Sequence, residues 1–251
     1  MPKTKIKLIA DLHIHTISSG HAYSTIEEYV AAAKKKKVKV IAITDHGPAM
    51  PGGAPLYHFS NMRMIPDHIN GVRILRGAEV NVIDPKGNLD IPDQVLNELD
   101  FAMVAIHPKC GYEACLPAGR DSGESENTAT LLKAIEHPKI KVIAHPGNPM
   151  YPIDFRKVIP IAKEKGILIE LNNSSLTISR KGSFDRCFEI AKFVKKIGWK
   201  VVLGSDAHIS TMVGELDDAL KMAMDAGLNK GDILNTSEEL IDRYLIGKNG
   251  K

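Results

Sequence analysis

The sequence predicts an α/β fold in which a parallel sheet, covered by helices, closes into a barrel. Short β-branched runs alternate with longer stretches of helical period along nearly the whole chain, the signature of βα units. A length of 251 residues is common for one closed βα barrel with a full core, so residues 1–251 read as one domain. An open doubly wound sheet is the alternative. No GxGxxG fingerprint or P-loop follows any of the strands, which removes that fold's usual nucleotide-binding uses.

In chain order, a first strand over residues 6–10 leads to a helix over about 24–36, whose start, Ser24-Thr25-Ile26-Glu27, resembles a capping box. Strands follow at 38–43, 72–78, 101–106, 140–144, 167–171 and 200–203, seven in all, with helices near 127–136, 154–165, 184–196 and 211–226. The stretch 108–126 is rich in Gly, Ser and charge and reads as a long surface loop. Such loops are usually functional or mobile, and its place after a strand suggests a lid.

Apolar residues at 43% and charged residues at 25% match the soluble globular class. The net charge of +3 is spread along the chain and leaves no basic stripe for a duplex. The one dense basic run, Lys34 to Lys37, falls where a helix should end, and cations there complement the helix dipole. No apolar run approaches the ~18 residues that span a bilayer, and Met1 to Lys5 lead into a strand-like stretch without the apolar segment of a signal peptide. Three cysteines cannot pair completely, and Cys110 and Cys115 have no second pair to complete a zinc knuckle. They read as reduced thiols, and the expected setting is the cytoplasm.

Metal-capable side chains collect where the strands end. His13 and His15 follow the first strand, with His21 in the next loop. His46 follows the second, Glu79 the third, His107 the fourth, His145 the fifth, and Asp206 and His208 the seventh. In a parallel barrel these ends share one face, where active sites are built. In extended backbone, residues two apart point the same way, so His13 and His15 form one pair and Asp206 and His208 another. A single histidine at a strand end is commonly a satisfied polar residue, but burying so many imidazoles together would leave polar groups needing partners. Imidazole and carboxylate suit zinc, manganese or iron. Asp11 shares the face of His13 and His15, either to orient an imidazole or as a structural carboxylate. Asp45 should point away from His46 and support the site indirectly. His58, His68 and His137 lie outside the pattern and read as surface or packing residues.

The stretches Asp11-Leu12-His13-Ile14-His15-Thr16, Thr44-Asp45-His46-Gly47, Gly77-Ala78-Glu79, Ala144-His145-Pro146 and Gly204-Ser205-Asp206-Ala207-His208 resemble the PHP (polymerase and histidinol phosphatase) family. His21-Ala22-Tyr23-Ser24-Thr25, His145-Pro146-Gly147-Asn148-Pro149 and Asn172-Asn173-Ser174-Ser175 extend the resemblance to its YcdX-type branch. The resemblance implies a distorted seven-stranded βα barrel holding three divalent ions, zinc foremost. The first ion would take His13, His15, Glu79 and Asp206, and the second Glu79, His107 and His145. The third would take His21, His46 and His208. It also implies a phosphoesterase that attacks small phosphomonoesters with a metal-activated hydroxide, with Glu79, Asp206 and His208 catalytic. The loop after His107 looks longer than the family's, which opens the question of substrate.

Two adjacent ions can clamp the attacking and leaving oxygens of an in-line displacement. Only Glu79 and Asp206 among the nine ligands are anionic, so the cluster keeps excess positive charge and favours a multiply charged anion. Arg180 and Lys181, on a polar loop after the sixth strand, are candidates to bind phosphate oxygens; plain exposed cations are the alternative. Competing functions are a phosphodiesterase or nuclease acting on single-stranded nucleic acid, disfavoured by the nearly neutral charge, and a metal-binding regulatory module without turnover, disfavoured by the complete ligand set. The expected partner is a small phosphorylated substrate, with no membrane and no stable nucleic acid; a homo-oligomer is left open.

Overall fold

The structure, a computed structural model, describes residues 6–116 and 122–247. Its elements run β1 (Ala10–Ile14), α1 (Ile26–Lys36), β2 (Val40–Ile43), α2 (Leu56–Asn61), β3 (His68–Ile69), β4 (Val72–Arg76), β5 (Glu79–Asn81), α3 (Asp93–Leu96) and β6 (Ala102–Ala105). They continue with α4 (Glu124–Ala134), β7 (Ile140–Ile143), α5 (Phe155–Glu164), β8 (Leu168–Asn172), α6 (Ser174–Thr177), α7 (Phe184–Lys196), β9 (Val201–Gly204), α8 (Asp217–Asp225) and α9 (Glu238–Ile241). Strand and helix alternate as expected, and every strand pair is parallel except the short β3–β4 hairpin.

The strands form two sheets, β1-β2-β4-β3 and β5-β6-β7-β8-β9, rather than one hydrogen-bonded ring. At the seams the sheets touch through single bridges, His46 with Glu79 and Ile14 with Ala207. The expected strand at 72–78 divides at one seam, because Gly77 leaves β4 and the chain changes partners from β2 to β6. Gly77 donates its N–H to Ile43 O at 2.8 Å, and a Cβ there would stand 3.1 Å from the Phe101 ring and 3.2 Å from that carbonyl. The close approach that links the sheets therefore suits glycine. At the other seam the Asn235 amide donates to Ala10 O (3.0 Å) and Leu203 O (2.8 Å) and accepts from Leu203 N–H (2.8 Å).

Residues pointing between the sheets make one apolar cluster: Leu12, Ala42, Leu75, Met103, Val142, Leu168 and Val202 come from seven strands. Leu234, Ile241 and Leu245 of the C-terminal segment complete it. The opposite strand faces, including Ile14, Ile43 and Ile169, pack beneath the helices. With one end of the inter-sheet space filled by hydrocarbon, the other is left to polar side chains.

Several expected boundaries move, each for a local reason. The first strand is Ala10–Ile14 instead of 6–10, because Asp11 and His13 are satisfied inside the sheet and so do not end it. The capping box is present one residue later: Thr25 caps α1, its Oγ1 accepts from Glu28 N–H at 3.3 Å, and Glu28 Oε2 accepts from Thr25 N–H at 2.7 Å. Ser24 is engaged elsewhere, its Oγ accepting from Ser210 N–H. The expected helix at 211–226 begins only at Asp217, since Gly214 adopts φ +74° and donates its N–H to Asp11 Oδ2 at 2.7 Å. Asp11 also accepts from Ser205 N–H at 3.1 Å. It is a strut between β1 and the loops after β9, not an orienter of an imidazole. The basic run ends α1 as expected, with Lys37 in the left-handed cap. Among the described residues no helix is long and apolar enough to cross a membrane. Met1 to Lys5 lie outside those residues.

Candidate metal centre

The structure brings all nine expected donors together. His13 lies within β1 and His15 just beyond it; His46 follows β2, Glu79 opens β5, His107 follows β6, His145 follows β7, and Asp206 and His208 follow β9. His21, in the loop after β1, has its ring centroid 5.1 Å from that of His46 and 4.8 Å from that of His208. Three overlapping groups place their donor atoms within 4.8 Å of one another: His13, His15 and Asp206; His46, Glu79 and His107; and His15, His46 and His208.

Glu79 is the centre. Its Oε1 stands 2.7 Å from His145 Nε2 and 3.4 Å from His107 Nε2, and its Oε2 stands 2.9 Å from His46 Nδ1, 3.4 Å from His13 Nε2 and 3.5 Å from His15 Nε2. Five imidazoles thus crowd one fully buried carboxylate. Yet Oε2 and His46 Nδ1 make no hydrogen bond of acceptable angle, to each other or to anything else. Buried polar atoms without a partner are costly and call for an explanation.

The tautomers supply one. His13 donates from Nδ1 to Glu170 Oε1 (2.7 Å), and His107 donates from Nδ1 to Asn81 Oδ1 (2.7 Å). Ser19 Oγ gives its proton to Asp45 Oδ1 (2.7 Å), so it accepts from His15 Nδ1 (3.3 Å). Fixing the proton on Nδ1 leaves each Nε2 with its lone pair facing inward. There His13 Nε2 meets His15 Nε2 at 3.0 Å, and these facing lone pairs require a proton or a cation between them. His107 Nε2 stands 3.3 Å from His145 Nε2, which is also 2.7 Å from Glu79 Oε1. The donor set of imidazoles and carboxylates fits divalent ions.

On the protein's own charges, burial raises Glu79, but His107, His13 and His46 outweigh it and hold the carboxyl well below its usual range. Asp206 is likewise held low against burial, by His13 and Arg180. Burial lowers His13, yet Glu170, Glu79 and Asp206 prevail and keep it well above the ordinary value. Burial, assisted by His46, drives His15 well down, and burial takes His107 to about 4. Two of the donor-bearing backbones are left-handed, His145 at φ +31° and Asp206 at φ +55°. Non-glycine residues there store strain, held by His145 N–H to Glu170 Oε2 (2.7 Å) and Asp206 N–H to His13 O (2.9 Å).

Around the donors lies a set of supports that the sequence pattern only partly suggested. Asp45 does support the site indirectly, accepting from Thr16 and Ser19. His58 is more than a packing residue, since its Nε2 reaches Asp45 Oδ2 at 3.0 Å. His68 is exposed on β3 and His137 pairs with Asp93 at 3.3 Å, both outside the cluster. Glu170 was missed altogether, as were the roles of Asn81 and Asn172. Their signal was present: a charged or amide residue at an inward position of a strand otherwise apolar, as in Leu168-Ile169-Glu170-Leu171-Asn172.

Above the donors opens a cavity of about 620 Å³, and both Arg180 and Lys181 line it. Arg180 Nη1 bonds Asp206 Oδ2 at 2.9 Å and Ser179 Oγ at 3.1 Å. Among the described residues no protein group pairs its Nε or Nη2. Of the loop expected as a lid, only Pro108 reaches the cavity among the described residues. Cys110 and Tyr112 turn into the protein, and Tyr112 bonds Asn127 at 2.9 Å. Residues 117–121 of that loop lie outside the described part. Among the described residues the walls come mainly from the loops after β2, β7, β8 and β9.

A model of the PHP domain matches residues 11–245. The chain belongs to this family. A probable phosphatase of Thermoanaerobacter sp. (strain X514) is 47% identical over 246 residues, covering 98% of each chain. A probable phosphatase of Acetivibrio thermocellus is 44% identical over 243 residues, covering 97% of each. The chain thus sits among the phosphatases of its family. In fold it is similar to the histidinol phosphate phosphatase of Lactococcus lactis, solved with zinc, L-histidinol and phosphate: TM-score 0.60, 14% identity, 88% of this chain and 94% of that one.

Proposed function

We propose that this chain is a metal-dependent phosphatase that hydrolyses small phosphomonoesters at a site holding three divalent ions, zinc foremost. The observation that carries this reading is Glu79: one buried carboxylate with five imidazole nitrogens within 3.5 Å and an oxygen lacking any hydrogen bond. His13, His15 and Asp206 would hold one ion with Glu79; His107 and His145 would hold a second with Glu79; His21, His46 and His208 would hold the third. We also read the two sheets as halves of the family's distorted seven-stranded barrel and the chain as one domain.

Ions so held supply Lewis acidity, which acidifies water and offsets charge developing on phosphorus-bound oxygens. The protein's own part is to position. Glu170, Ser19 and Asn81 set the tautomers of His13, His15 and His107, so that their Nε2 atoms face the cavity floor. Arg180, anchored through Nη1, keeps the rest of its planar donor fork for phosphate oxygens. Lys181 adds a point charge at the rim, while Asp206 and His208 flank the reacting centre. Against about six positive charges the donor set offers two carboxylates, which favours a dianionic monoester over a monoanionic diester.

Elemental analysis of metal-replete protein, coupled to paired kinetics on an aryl monoester and its matching diester, tests this. The expected outcome is about three ions per chain and kcat/KM at least ~10-fold higher for the monoester, about 1.4 kcal/mol in transition-state binding. Fewer than one ion per chain, or a diester rate equal to the monoester rate, would overturn it.

A further inference from the structure

The cavity holds more than a phosphoryl group needs. Its volume of about 620 Å³ lies within the span of small-molecule sites. At ~30 Å³ for each water-sized volume, the few atoms of a phosphoryl group fill a minor part of it. The remainder is mostly apolar. Asn148, Ser174 and Ser179 contribute a minor polar share, and Met50, Pro108, Pro149, Met150, Ile178 and Met212 line the rest.

These residues come from separate loops: Met50 after β2, Pro149 and Met150 after β7, Ile178 after β8 and Met212 after β9. Ile178 is 72% exposed and Met150 60% exposed. A single exposed apolar residue needs no explanation, but apolar side chains converging from several loops on one cavity mark a binding surface. Covering them with hydrocarbon stabilises by about 25 cal/mol per Å², and methionine adapts its shape to varied groups. Among the described residues the only lysine or arginine side chains lining the cavity are Arg180 and Lys181, adjacent in the chain. A substrate with its anion at that pair and its organic part over the methionines matches this lining.

We propose that the site selects phosphomonoesters whose alcohol portion is apolar, alkyl or aromatic, over those whose alcohol is a polyol. This specificity rests on the phosphatase reading above. The Met50, Met150, Ile178 and Met212 wall is the determinant.

The probes are 2-phenylethyl phosphate and glycerol 1-phosphate, both of which release an ordinary alcohol, so that leaving-group chemistry is closely matched. With zinc-loaded protein, kcat/KM should be at least ~10-fold higher for the phenylethyl ester. A Met150→Ser/Ile178→Ser double variant should bring the ratio toward one, while Ile178→Leu should keep it. Calorimetric binding of 2-phenylethylphosphonate against methylphosphonate separates the two proposals, since it needs no turnover. If neither ester is hydrolysed but the larger phosphonate binds ~10-fold tighter, the phosphatase reading fails and the apolar wall stands. Equal esters, equal phosphonates, or a ratio unmoved by the double variant in protein of normal metal content would overturn the wall.

Discussion

Glu79 carries two oxygens into a space lined by five imidazoles, and in the proposed site its charge is what would let so many nitrogen donors and cations share that space. Glu79→Gln preserves the shape and removes the charge. The expected result is a loss of at least ~100-fold in phosphatase rate with the fold retained, because bringing cations together depends on that carboxylate. His137→Ala, at the half-buried position beside Asp93, should leave the rate nearly unchanged. Steady-state kinetics on the two purified variants, with circular dichroism for folding, checks this; equal damage from both would show that the histidines are wrongly divided. At this scale the sequence was informative, since residue type together with strand-end position picked out nine side chains that the fold gathers in one place. Asp11 shows where type and position are not enough. Regular alternation would give it the face of His13, but the register of β1 shifts between Asp11 and Ile14, and two backbone N–H groups from distant loops claim its oxygens.

Strand β8 changes task along its length. Leu168 faces the apolar inter-sheet cluster, and two residues on, at the same face, Glu170 holds His13 Nδ1 and the backbone of His145. Asn172, two further, donates to Glu170 Oε2 at 3.3 Å and to Asp206 Oδ2 at 3.2 Å. The strand's period of two thus turns a hydrocarbon floor into a polar scaffold within five residues. Glu170→Gln removes the charge that fixes the His13 proton, and zinc affinity should fall ~10- to 100-fold, as for other partners of metal-ligating histidines. Competition with a chromogenic chelator measures this without reference to turnover, and an unchanged affinity would show that Glu170 only fills space. Sequence periodicity located this strand closely, but β1 was placed four residues early. A run ending at a charged residue looks finished until the partners of that residue are known.

Across the described residues, the proposed donors from both sheets meet at the polar end, so cations bound there would tie the sheets together where single backbone bridges join them. Metal binding to the native state alone is linked to folding. Free metal at a thousand times its dissociation constant adds about 4 kcal/mol per site, or about 8–16 °C in melting temperature for a chain of this size. Scanning calorimetry before and after chelation, then after zinc is restored, should show a fall and a recovery of that order. An unchanged midpoint in protein shown to have lost its metal would mean that the sheets hold together by their apolar cluster alone.

The alternation of strand and helix, the strand-end histidines and the carboxylates among them were legible in the residues, because periodicity and donor chemistry are local properties that survive without coordinates. So was the expectation of cations, since many imidazoles converging on one face have few other means of being satisfied. What only the tertiary structure decided depends on residues far apart in the chain. The break of one strand into β4 and β5 follows from Gly77 meeting Phe101 and Ile43. The service of Glu170 to His13, 157 positions away, and the convergence of separate loops on one cavity wall are of the same kind. Each is set by which backbone segments lie side by side, and that packing is a property of the folded chain.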